Sequence, residues 1–154
     1  MKVEGPDRFT ITIHAGGSPP FDIRDADGAT KFSGRATSKL PKLYVVTAAG
    51  DIIYVGITKQ SMRPRLRLGW QETGQKGYHG YPWRHHHTEA TLDNWYQMMP
   101  AAISSLLDIE TVEAEVVYLI RQKGQWPAYQ TEIHFHASSD EHRAVASHSF
   151  EHYA

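Results

Sequence analysis

Apolar and polar residues alternate through Phe9-Thr10-Ile11-Thr12-Ile13, the period of a strand with one buried face. The rest of residues 1–42 is rich in Gly, Pro, Asp and Ala, which predicts an N-terminal arm holding one strand. Two β-branched and aromatic runs follow, Leu43-Tyr44-Val45-Val46 and Ile52-Ile53-Tyr54-Val55-Gly56-Ile57, joined by a link of hairpin length. With Thr47 paired to Asp51, the loop is Ala48-Ala49-Gly50, and glycine takes the place that needs a left-handed backbone. That register sets Tyr44 opposite Tyr54 on one face of the ladder.

Ser61 to Leu68 predicts a short basic helix, with Ser61 at the N-cap and Pro64 in the first turn. From Gly69 to His87, glycine, aromatics and histidine crowd together without either period, so this stretch reads as a loop, and Thr88–Tyr96 and Pro100–Leu107 read as helices. Thr111 to Ile120 fits two templates. Val112, Val116 and Ile120 make a helical stripe, but the valines, tyrosine and isoleucine favour a strand with Glu113 and Glu115 on its second face. Trp126-Pro127 opens a further helix running to Phe135, and the tail, 137–154, is polar and loosely held. The expected fold is α/β in the α+β sense: a small antiparallel three-stranded sheet, hairpin plus third strand, flanked by helices. It spans 43–136, with an insertion at 69–107.

Composition adds limits. No apolar run approaches the roughly 20 residues that span a bilayer, so no membrane is expected among the partners. The absence of cysteine removes disulfide and thiolate chemistry, and with no apolar leader at Met1 it points to the cytoplasm. The net charge of −1 hides an uneven distribution. Lys31, Arg35, Lys39, Lys42, Lys59, Arg63, Arg65 and Arg67 face a single acid, Asp51, within 31–67, a local surplus of +7 on an acidic remainder. Such a segment is suited to phosphate, and equally to a solvated surface.

Lys42-Leu43-Tyr44, then Tyr54-Val55-Gly56 ten residues after the first tyrosine, then Arg65 in a short helix: this combination resembles the GIY-YIG nuclease superfamily. The first triplet keeps only its tyrosine, and the second has valine in place of isoleucine. The resemblance implies a third strand and then a helix bearing a metal-binding glutamate. With the strand at Val112–Ile120 that glutamate is Glu132; if 111–121 is instead the helix, Glu115 or Glu113 takes the role. Family members often carry an asparagine after the glutamate helix. The single asparagine here, Asn94, lies upstream, which leaves Gln130 as a substitute or a different support.

The resemblance implies a divalent-metal-dependent endonuclease acting on nucleic acid, DNA more than RNA. Tyr44 would be the general base and Tyr54 would orient the water or phosphate. Arg65 offers a planar donor fork to phosphate oxygens, and Glu132 offers hard oxygen to Mg²⁺ or Mn²⁺. A free phenol near pKa 10 is a poor base at neutral pH, so Arg65 and the metal would have to lower it. Lys59, Arg63, Arg67 and Arg84 are the candidate substrate contacts. Each has an ordinary alternative, since strand tyrosines usually pack and surface arginines are usually solvated. Two other functions compete: a non-catalytic nucleic-acid-binding or partner-binding module on the same scaffold, and a histidine-rich metal-binding protein built on His85-His86-His87. Adjacent histidines rarely close one tetrahedral site, and beside Arg84, Trp83 and Tyr81 they suit phosphate or base contacts as well.

Overall fold

The computed structural model describes residues 2–14, 19–71, 81–98, 106–130 and 133–154. Five strands form one antiparallel sheet: β1 (Lys2–Ile13), β2 (Phe21–Asp25), β3 (Lys42–Ala48), β4 (Asp51–Thr58) and β5 (Glu89–Met98), in the order β2-β1-β5-β3-β4. Three helices cover it, α1 (Met62–Gln71), α2 (Leu106–Gln122) and α3 (Asp140–Glu151). On one face, Phe9, Ile11, Val46, Tyr54 and Leu92 pack under Met62 and Leu66 of α1 and under Trp83. On the other, Leu43, Val45, Val55 and Trp95 pack under α2 and Ala146 of α3.

The fold is α+β, as the pattern predicts, but larger. The sheet has five strands, not three. The arm before Lys42 supplies two of them, and the third member of the expected sheet is β5, a segment expected to be a helix inside an insertion. β5 lies between β1 and β3 and is buried on both faces from Leu92 to Gln97, so its side chains do not alternate between apolar and polar. Asp93 on this strand is fully buried and takes a bidentate pair from Arg8, both bonds 2.8 Å, with Tyr153 donating at 3.0 Å. Burial and then the charge of Asp93 push the Tyr153 phenol up.

The segment expected to be the third strand is α2. Its β-branched residues lie on the buried stripe Ile109, Val112, Val116 and Ile120, and packing that stripe on β3 and β4 outweighs intrinsic strand preference. The expected helix from Trp126 to Phe135 is irregular where it is described, with one turn at 128–129: Gln130 N–H donates to Pro127 O, and Tyr129 N–H donates to Ile53 O of β4. The C-terminal tail is no loose end, because Ser139 and His142 close a capping box on α3. Most of the expected Pro100–Leu107 helix lies outside the described residues; Leu106 and Leu107 begin α2.

The hairpin register also shifts. Ala48 pairs with Asp51, so the loop is Ala49-Gly50, with φ of 52° and 86°. Positive φ at both central residues is the two-residue geometry that follows strand twist. A bulge then leaves Ile53 unpaired, Val46 meets Tyr54, and Tyr44 faces Gly56.

Lys42 is fully buried at the start of β3, and its ammonium donates to the carbonyls of Ser38 (2.6 Å), Leu40 (2.9 Å) and Gln60 (3.1 Å). Burial pulls its pKa down to about 8 from 10.5. Between those two values the unfolded chain binds more protons than the folded one, so stability rises with pH across that window. The difference in urea-unfolding free energy between the native chain and Lys42→Met should therefore grow from pH 8 to pH 10; a pH-independent difference would contradict the burial cost.

Candidate functional site

Tyr44 and Tyr54 come from paired strands and lie diagonally on one face, with ring centroids 5.9 Å apart. What allows this is Gly56. A Cβ there would lie 2.4 Å from Tyr44 Cζ, 2.5 Å from its hydroxyl oxygen and 2.8 Å from Tyr54 Cε1, so the rings occupy the space that a side chain would fill. A third phenol joins them. Tyr81, just before a short 3-10 turn at Pro82–His85, places its hydroxyl 3.0 Å from that of Tyr44 and its ring centroid 5.5 Å from that of Tyr54.

Tyr81 is seated on α1. Its N–H donates to Gly69 O at 2.9 Å, and Gly69 has no side chain to obstruct its ring, which a Cβ would approach to 2.2 Å. The guanidinium of Arg65 lies 5.5 Å from the Tyr81 ring centroid, and Arg84 donates to Tyr81 O at 2.7 Å. Tyr44, Tyr54 and Arg65 are thus neighbours, with Tyr81 as the link that sequence reasoning left in an irregular stretch. Arg84 ties that stretch to the helix. The three phenols are enclosed: Tyr44 and Tyr81 are fully buried and Tyr54 is 8% exposed, with Tyr81 packed against the other two.

Glu132 lies outside the described residues. Glu113 is described. It is buried on α2 and lies 3.4 Å from Gln130 Nε2. Gln130 in turn spans the outer edge of β4: Val55 N–H donates to its Oε1 and its Nε2 donates to Val55 O, both at 2.9 Å. Glu113 therefore approaches the edge of β4 one residue from Gly56, on the side of the sheet that α2 covers. Glu115 is half-buried on the same helix. Among the described residues no group of three or more His, Cys, Asp or Glu is arranged to hold a metal, so His85–His87 forms no such centre there.

No family model, no curated protein and no solved structure matches this chain.

Asn94, the one asparagine, lies on β5 in register with Tyr44 on one side and Asp7 on the other. Its carboxamide is buried without a hydrogen-bond partner among the described residues. Only the register of β5 places it beside Tyr44; no spacing in the sequence does.

The basic segment divides by role. Arg35 pairs with Glu4 (3.0 Å) and Asp7 (2.9 Å), and Lys42 is caged by carbonyls, so these two cations serve the fold. Arg63 and Arg67, one turn apart on α1, line an open cleft of about 610 Å³ together with Lys31, while Lys59 is exposed beyond the end of β4.

Replacing Gly56 by alanine should destabilise the fold by about 1–3 kcal/mol, because the buried rings of Tyr44 and Tyr54 have little room to move. Chemical denaturation measures it, and an unchanged midpoint would mean the rings shift freely.

Proposed function

We propose that this protein is a divalent-metal-dependent endonuclease of the GIY-YIG type, hydrolysing phosphodiester bonds of nucleic acid, DNA in preference to RNA. The observation that carries it is the order of elements around the tyrosines. The hairpin β3–β4 bears Tyr44, Tyr54 and Gly56; α1 follows with Arg65; β5 returns beside β3; and the next element is a helix bearing a buried glutamate. That is the order the motif resemblance implies, with β5 and α2 in the places first given to Val112–Ile120 and the helix after it. The glutamate role accordingly moves from Glu132 to Glu113.

In this reading Tyr44 takes the proton of the attacking water, Tyr54 orients it, and Arg65 neutralises the phosphate through its donor fork. Lys59, Arg63, Arg67 and Arg84 supply further phosphate contacts. Glu113, which reaches the β4 edge at Val55 from the α2 side of the sheet, would offer a single hard oxygen to Mg²⁺ or Mn²⁺. Such an ion would stabilise charge on the leaving oxygen. Since Tyr81 covers the phenols, substrate entry requires the 81–85 turn to move aside.

The full burial of Tyr44 favours a second reading, a non-catalytic nucleic-acid-binding module in which the three tyrosines are core. Plasmid cleavage decides between them. The endonuclease should cut with Mg²⁺ and not with EDTA, and Tyr44→Phe, Arg65→Ala and Glu113→Gln should each lower the rate by about 100-fold or more, in line with the loss of a general base or a transition-state contact. Glu132→Gln should cut at the native rate. Undiminished cutting by the first three would exclude the assignment, and salt-sensitive binding without turnover would select the module.

A further inference from the structure

A cleft of about 410 Å³ lies at the tip of the β3–β4 hairpin, against the turn that follows α2. Its wall is aromatic. Trp126 is 48% exposed, and Tyr129 is held upright by His86, stacked on its ring at 5.6 Å and 10°, and by His87 edge-on at 5.8 Å. Among the described residues its polar lining groups are Asp51, Gln125 and His87, and none is a lysine or arginine. A site without a permanent cation and with a carboxylate repels phosphate, whereas a flat ring with hydrogen-bonding edges suits both the wall and the polar groups.

The position of the cleft matters as much as its lining. Tyr129 N–H donates to Ile53 O at 2.9 Å, Gln130 grips Val55, and Gly56 lies beneath the tyrosines. Ile53 lines the cleft, adjoins Tyr54 and is three residues from Gly56 on β4, so the cleft is within roughly 10 Å of the phenols along the strand. That is within a few nucleotides of any phosphate held there.

We propose that this cleft takes one unpaired nucleobase of the bound strand, stacked on Trp126, with an exocyclic amino group donating to Asp51. Adenine, cytosine and guanine carry such a group and thymine does not. The assignment rests on the nucleic-acid reading above and deepens it: the preferred substrate has a single-stranded or extruded base close to the cut.

The test uses the full chain in EDTA and a fluorescein-labelled single-stranded oligonucleotide, either uniformly dA or dT or carrying abasic sites throughout. The native chain should bind the dA strand more tightly than the abasic one. Trp126→Ala should weaken binding to dA about tenfold and leave abasic binding unchanged, with Trp126→Phe restoring most of the loss. Asp51→Asn should narrow the preference for dA over dT. Equal weakening on the abasic strand, or no weakening on dA, overturns the cleft assignment while nucleic-acid binding stands. A native chain that cuts plasmid but binds none of the three strands overturns this assignment alone, and one that neither cuts plasmid nor binds any strand overturns the nucleic-acid reading with it.

Discussion

The architecture depends on β5 entering between β1 and β3. Without it the N-terminal strand pair and the β3–β4 hairpin would be two separate ribbons, neither able to bury its apolar faces. Its central residues are covered on both sides, so a buried charge there needs internal partners, and Asp93 finds two in Arg8 and Tyr153. These contacts tie the last turn of the chain to the first strand. Both termini thereby support the strand on which the hairpin with the tyrosines rests.

What was legible beforehand was the contiguous part. The hairpin, the short arginine-bearing helix and the shared face of Tyr44 and Tyr54 all depend on residues near one another in sequence, where period and turn chemistry speak directly, whereas the loop length and the register turn on a bulge at Ile53 that no turn residue announces. β5 and α2 were exchanged for physical reasons. A central strand with Asp93, Asn94 and Gln97 buried loses its alternation, and a helix rich in valine imitates a strand until its stripe has a sheet to pack against. Glu113 stands out only on a helix, where it falls beside the buried stripe of α2. Tyr81 had no signal at all, since its place beside Tyr44 follows from Gly69 and from how α1 lies on the sheet.

The arginines of α1 show how one short helix divides its labour. Arg65 turns toward Tyr81, while Arg63 lies about 6 Å from the rings of Phe21 and Phe32 at 6.0 and 5.9 Å, on the side built by the N-terminal segment. A surplus of positive charge read along the chain is thus several environments in space. Two of its members, Arg35 and Lys42, are spent on internal contacts and add little to the outer field.

The side-chain amide that spans Val55 has one more effect. An outermost strand normally leaves a row of backbone donors and acceptors on which a neighbouring molecule could template a sixth strand. Gln130 and the Tyr129 amide occupy that row at Ile53 and Val55. At those two residues the flank is thereby closed to fibre-like stacking.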